Sequence, residues 1–345
     1  MIECIPIDPH NDERWLKYIT TSKQATVFHH PDWMRVLEPS YDYRLQCQAV
    51  VEGNTVIGVL PLMEIESWLT GHRAVCLPFS DACKPLSDNP DVEALLVSTS
   101  IALSKINQWK YLEFRGPITH ESLHPSAGYK AHILDLDRDP DKVFSQFKKT
   151  QIQQSIQRAV RDGVVIERRN DLNAMRDFIH LNALTRRKHG IPPQPDIFFI
   201  NFQKYLIEKK HGFISVAKIG DQVIAASICL FFNNVIYYKY NASDEKFLKY
   251  CPNHLLVWDS ILWGCTEGYQ TFDFGRTDVS NNGLLFYKRG WGGVEMDLVY
   301  YRWDGRNESV NNHRERALDR VKPLFKILPI PILKVIGKKL YGHAG

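Results

Sequence analysis

Apolar residues recur at helical spacing in LLVSTSIALSKINQWKYLEF, from Leu95 to Phe114, and the helical period then gives way to a short apolar strand. The same order of periods returns in LLVWDSILWGCTEGYQTFDF, from Leu255 to Phe274, at an offset of 160 positions with no gap. Leu95, Leu96, Val97, Ser100 and Ile101 recur as Leu255, Leu256, Val257, Ser260 and Ile261, and Leu112, Glu113 and Phe114 recur as Phe272, Asp273 and Phe274. Upstream, GNTVIGVLPL (Gly53 to Leu62) resembles GDQVIAASIC (Gly220 to Cys229) at an offset of 167. In each, a Gly-Asn or Gly-Asp pair opens an apolar strand, which is a hairpin signal. Two matches in the same order predict a duplicated α/β unit of hairpin, further strand, helix and strand.

The boundary between the two copies is expected near Asp135 to Phe144, which is acidic and carries a proline. One helix is predicted after it, from Phe144 to Gly163, with Gly163 as its stop. These signals divide the chain into 1–143, 144–310 and a basic tail, 311–345. The tail mixes apolar residues with lysines and is cut by Pro323, Pro329 and Pro331, so it cannot form one long amphipathic helix. It reads as a packed terminal segment with solvated lysines, with contact to a membrane surface as the alternative.

Composition narrows the class. Of 345 residues, 44% are hydrophobic and 24% charged, which excludes a disordered or collagen-like chain. No apolar run reaches the ~18 residues of a spanning helix, and the acidic, proline-broken start carries no signal-peptide pattern. The seven cysteines form no C-x-x-C pair, and they read as mostly buried thiols of a reducing compartment. The net charge of +4 is the sum of +6 from Asn311 onward and −2 elsewhere. The histidines form no H-x-x-x-H or H-E-x-x-H cluster, so no metal site is expected.

A series of short motifs in order resembles the FemAB-like branch of the GNAT acyltransferase superfamily over nearly the whole length. They are FHHPDW (Phe28 to Trp33), VIGVLPL (Val56 to Leu62), LPFSDACKPL (Leu77 to Leu86), IQRAVRDGV (Ile156 to Val164), TRRKHGIPPQP (Thr185 to Pro195), YKYNASD (Tyr238 to Asp244) and DFGRTDVSNNGLLFYKRGWG (Asp273 to Gly292). The resemblance implies an α/β fold with mixed sheet, two tandem GNAT-like acyl-CoA N-acyltransferase domains, in agreement with the repeat, and a last segment that packs back on the first domain. It also implies a reaction in which an amine attacks an activated acyl carbonyl through a tetrahedral oxyanion. That reaction requires loss of a proton from the amine, stabilisation of the oxyanion and a leaving group that accepts a proton or charge.

The resemblance assigns Lys288, in LLFYKRGWG, to the reacting carbonyl, where a cation stabilises negative charge. Asp81, in LPFSDACKPL, is expected to orient or deprotonate the amine; a turn aspartate bonding its own backbone is the alternative. Arg276 suits phosphate or carboxylate binding, against an ion pair with Asp273 or Asp278. Arg187, His189 and Gln194 lie in a proline-stiffened loop, and Tyr240 and Asn241 near a strand end; these, with Asp273 and Asn282, are the candidate substrate-binding residues. The DFG at Asp273 to Gly275 is not a kinase signature here, because no H-R-D loop or glycine-rich loop accompanies it.

Acetyl-CoA users of the superfamily hold pyrophosphate with a glycine-rich turn at a helix start. The corresponding stretch, Glu245 to Ile261, contains no glycine. The expected donor is therefore aminoacyl-tRNA, with acyl-CoA as the alternative, and no bound cofactor. Lys148, Lys149, Arg158, Arg161, Arg186 to Lys188 and the tail are candidates to meet a tRNA acceptor end. The acceptor is expected to be an amine on a small-molecule or lipid-linked cell-envelope precursor, and the chain to be cytoplasmic, peripheral to the membrane through its tail. A catalytically silent assembly protein is the reading from a different class.

Overall fold

A computed structural model describes residues 1–305 and 321–345. The chain divides into two compact units. Of the described residues, the first comprises Met1–Tyr129, 297–305 and Lys339–Gly345, and the second comprises Lys130–Met296 and 321–338.

The first unit contains β1 (Ile2–Pro6), α1 (Glu13–Thr21), α2 (Pro31–Tyr41), β2 (Arg44–Leu45), β3 (Gln48–Glu52), β4 (Thr55–Leu60), β5 (Met63–Ile65), β6 (Arg73–Val75), α3 (Pro90–Ile106) and β7 (Tyr111–Arg115). β1, β3 and β4 form one antiparallel sheet, and β2, β5, β6 and β7 run in that order in another. The predicted hairpin is β3–β4, turned at Gly53 with φ +59°. Asn89 caps α3 through its side chain and Pro90 stands in the first turn, where the missing N–H costs nothing. The core holds Trp15, Phe28, Trp33, Trp109 and Phe114.

The second unit begins within β8 (His124–Asp135) and continues through α4 (Pro140–Ser145), α5 (Gln154–Arg161), β9 (Val165–Arg169), α6 (Leu172–Lys188), α7 (Asp196–Phe202), β10 (Gly212–Ile219), β11 (Gln222–Phe232), β12 (Val235–Ser243), α8 (Pro252–Glu267), β13 (Thr271–Asp278), α9 (Asn282–Arg289) and β14 (Val294–Asp304). Helical residues 321–327 and α10 (Ile330–Leu340) follow. β9 to β12 form an antiparallel meander, with its second predicted hairpin at Gly220, and β12 pairs β13 in parallel. A parallel pair needs a crossover, which α8 supplies. Pro252 opens α8, and Gly268 closes it at φ +81°.

The internal repeat is a repeat of packing. Leu96, Val97, Ser100 and Ile101 on α3 are buried, as are Leu256, Val257, Ser260 and Ile261 on α8. Each buried serine bonds back to its own helix, Ser100 to the Leu96 carbonyl at 2.7 Å and Ser260 to the Leu256 carbonyl at 2.9 Å.

Two features differ from expectation. The single helix predicted from Phe144 to Gly163 is two, α4 and α5, joined through a wide turn at Lys149–Gln153. A tertiary bond from the Lys148 N–H to the Gly290 carbonyl (2.8 Å) draws the chain off the helical path. The Gln153 side chain meanwhile bonds the Phe144 and Phe147 carbonyls. The compact units also cross at other places than the segments 1–143, 144–310 and 311–345. The crossings fall at Tyr129/Lys130 inside β8 and at Met296/Asp297 inside β14. The acidic stretch after Asp135 belongs to the second unit. Of the tail, residues 311–320 lie outside the described residues, 321–338 belong to the second unit, and 339–345 join the first. There Tyr43 donates its hydroxyl to the Tyr341 carbonyl at 3.2 Å, and the Arg73 guanidinium donates to Gly345 O at 2.7 Å. Among the described residues, no helix is long and apolar enough to cross a membrane.

Candidate active site

The ladder between β12 and β13 runs from Val235↔Thr271 to Tyr237↔Asp273, and both strands continue past it, to Ser243 and Asp278. Beyond the ladder lies a cavity of about 560 Å³ in the second unit. Tyr238, Lys239 and Asn241 reach it from β12, and Phe274 and Arg276 from β13. The start of α8 contributes Cys251 to His254, and α9 contributes Leu284, Tyr287 and Lys288.

Lys288 is buried at 6% exposure, on the same face of α9 as Leu285. Its ammonium donates to the Phe274 carbonyl at 2.7 Å, to the Gly275 carbonyl at 2.7 Å and, more weakly, to the Arg276 carbonyl at 3.4 Å. In a regular strand, consecutive carbonyls point to opposite sides and could not share one donor. Gly275 has φ +71°, a conformation open to glycine, and this turns the chain so that both carbonyls face one cation. Asp273 supports the turn, since its side chain accepts from the Gly275 N–H at 2.7 Å. The DFG triplet is thus the local device that cradles Lys288. Asn281 caps α9, accepting from the Leu284 N–H at 3.1 Å.

The cavity is electropositive. Lys288, Lys239 and Arg276 line it, and among the described residues no carboxylate does. α8 points its first turn into it, with Cys251 in the left-handed conformation (φ +54°) and no side-chain cap on the helix. The positive end of the helix dipole adds to the attraction for an anion. Burial pushes the His254 imidazole down to about 4, so it stands neutral against the rings of Tyr287 and Trp291. Burial also holds the Tyr287 and Tyr238 phenols protonated, and the Asn241 amide donates to the Tyr238 hydroxyl at 2.8 Å.

Of the sequence candidates, Lys288, Arg276 and Asn241 line this one cavity. Gln194 and Tyr240 form a neighbouring polar group: Arg186 donates to Gln194, which donates to the Tyr240 hydroxyl at 3.5 Å. The Tyr240 ring is set among Phe178, Phe198, Phe199 and Phe202. Arg187 lies in the last turn of α6 and His189 caps it; partial burial, Lys188, Arg186 and Lys326 hold the His189 imidazole below its ordinary value. Asp273 acts through the Gly275 turn, and Asn282 is exposed on the first turn of α9, outside the cavity lining. Asp81 lies in the first unit, half-buried in the loop after β6, where its carbonyl accepts from the Tyr300 hydroxyl at 2.6 Å. Of the proposed RNA-facing cations, Arg158 and Arg161 both lean on Asp162 at 3.4 Å, and Lys148 lies over the Phe286 ring. Sequence reasoning missed His254, Asn253 and Tyr287 as lining residues. The one available signal was Pro252, which marks a helix start opening directly from a strand-end loop.

The thiols match expectation. All seven are free; Cys47, Cys76, Cys83, Cys229 and Cys265 are buried, with Cys4 and Cys251 partly open. Burial raises the pKa of Cys83 well above the ordinary value, which leaves it a packing residue rather than a nucleophile.

Two buried histidines predict a pH dependence. His29 in the first unit and His254 in the second are each pushed by burial down to about 4. Unfolded, both would bind a proton near 6.5. Their contribution to stability is full above about pH 6.5 and is lost as the pH falls toward 4. By pH 5 each has forfeited up to about 2 kcal/mol. The melting temperature is expected to fall between pH 7 and pH 5, and His254→Phe to flatten that fall; calorimetry across this range checks both.

Residues 146–289 match the acetyltransferase (GNAT) domain family. Lipid II:glycine glycyltransferase of Staphylococcus aureus is 29% identical over 123 residues, which are 34% of this chain and 28% of that protein. The chain thus spans under a third of the length of the curated relatives it matches. Among solved structures, FemX superimposes with a TM-score of 0.71 at 14% identity, over 92% of this chain and 99% of that one. A tandem GNAT protein of the clavulanic acid biosynthesis pathway superimposes with a TM-score of 0.57 at 14% identity, over 90% and 100%.

Proposed function

From a chain that carries a GNAT domain at 146–289 and has the tandem GNAT fold its motifs led us to expect, we propose an N-acyltransferase that moves an aminoacyl group to an amine on a lipid-linked cell-envelope precursor. The observation that carries this reading is the Lys288 ammonium, buried and aimed by main-chain carbonyls at the edge of an acid-free cavity. The amine nitrogen attacks the acyl carbonyl. The carbon–nitrogen bond forms, the bond to the leaving oxygen breaks, and the proton shed by the amine ends on that oxygen. Lys288 offsets the charge that builds on the tetrahedral oxyanion; its long bond to the Arg276 carbonyl is the one a substrate oxygen would replace. Arg276 and Lys239 would hold phosphate, and Tyr238 and Asn241 would position the acceptor. The glycyltransferase likeness supports an aminoacyl group and a lipid-linked acceptor. The absence of glycine from Glu245 to Ile261 favours aminoacyl-tRNA over a coenzyme A thioester.

One observation favours acyl-CoA as a second reading: the uncapped start of α8 opens on the cavity, where a pyrophosphate could sit. A transfer assay separates the two. Given a lipid-linked amine acceptor, the protein is expected to form amide from bulk charged tRNA in a salt-sensitive manner and none from acyl-CoA. Product from acyl-CoA alone would establish the second reading. No product from either donor would favour a silent assembly protein.

A further inference from the structure

From residue 321 to residue 345 the sequence contains five lysines and no Asp or Glu. Within the second unit this segment has two distinct faces. The inner face is seated on the loop that ends α6. Phe325 and Leu333 are buried, and a side chain at Gly337 would strike the Pro193 carbonyl. A side chain at Gly190 would meet the Lys322 carbonyl at 2.5 Å. The outer face is uncovered and apolar: Leu324 is 51% exposed, Ile327 79%, Ile332 47% and Val335 60%. These form an i, i+3 pair on each of the two helices. Lys326 and Lys338 are exposed on the same segment, while Lys334 is held by Asp196 at 2.7 Å.

Single exposed apolar residues are ordinary, but four on two consecutive helices, in a segment with five lysines and no carboxylate of its own, mark an interaction surface, and Asp196 pairs with Lys334. We propose that this face docks on an anionic phospholipid bilayer, with the apolar row entering the headgroup boundary and the lysines meeting lipid phosphates. Charge selects this occupant, because a segment of uniform positive sign is complementary to an anionic surface. Two short helices broken at the prolines can each lie in the interface plane, and lysine stems can keep their ammonium groups at phosphate level. This surface is separate from the cavity and stands independently of the proposed transfer reaction.

The test is co-sedimentation of the full-length chain with vesicles of phosphatidylcholine containing about a third phosphatidylglycerol, and with pure phosphatidylcholine. The wild type is expected to bind the anionic vesicles and to be released by salt. The Ile327→Glu, Val335→Glu double variant is expected to bind at least tenfold more weakly with an unchanged melting curve, since both side chains are exposed. Lys326→Glu with Lys338→Glu should reproduce the loss, and decides the matter should the first variant fold poorly. Wild-type protein that stays in the supernatant, equal binding to neutral vesicles, or undiminished binding by both variants would overturn the proposal. So would substitutions that alter self-association or tRNA retention and leave vesicle binding intact.

Discussion

Replacing Lys288 with methionine is expected to lower kcat for transfer by about 10²- to 10³-fold, the cost of losing one group that stabilises an oxyanion. Methionine has similar reach and no charge, so the change removes the cation and little else. The Phe274 and Gly275 carbonyls lose their donor, but Phe274 and Arg276, on either side of Gly275, line a cavity with room for water. The stability cost should therefore stay near about 1–3 kcal/mol. Lys288→Arg is expected to fail almost as badly, because a planar fork cannot enter carbonyls that converge on a single point. Steady-state kinetics with a melting curve for each variant checks this. Wild-type kcat in Lys288→Met would remove this residue from the chemistry.

The second large effect is expected at Trp291, which no motif argument placed in the site. It is fully buried three residues beyond Lys288, and its backbone N–H donates to the Lys288 carbonyl at 3.1 Å. Its ring meets Phe147 at 5.1 Å and Phe274 and Tyr287 at 6.0 Å, joining α9 to β13 and to the turn after α4. Trp291→Ala should cost about 3–5 kcal/mol, transfer free energy plus cavity. In a unit of this size that is a fall in melting temperature of roughly 6–20 °C. Activity measured well below the new midpoint should also drop, since the end of α9 that carries Lys288 loses its support. Trp291→Phe should recover most of both. An alanine variant with unchanged melting would show that the aromatic cluster is not what fixes the helix.

How much of this was legible in the sequence follows from how local each feature is. The duplicated helix and strand were readable because burial repeats with the period of the element itself, as Leu96 and Leu256 show. The hairpins were readable from Gly53 and Gly220, where one residue's backbone freedom makes the turn. Lys288 was visible only through its motif; nothing in its neighbours announces a buried ammonium. Its cradle depends on the sign of one φ angle at Gly275, about 120° of rotation from where most residues rest. The neutral state of His254 depends on rings brought to it by α9, and the break between α4 and α5 on a bond to Gly290. Long-range contacts of that kind leave no periodic trace.

The two crossings inside β8 and β14 have a consequence for the order in which the protein is made. β7 pairs with residues 300–304 of β14, Tyr43 bonds to Tyr341 and Arg73 to Gly345. The unit that leaves the ribosome first therefore waits for its last strand while residues 130–296 emerge and can fold behind it. The amino-terminal half starts first and finishes last. During that interval β7 presents an unpaired edge, a template for stray strands. Demand for chaperones should thus concentrate on the early part of the chain, and a tag that delays release of the last residues would prolong it.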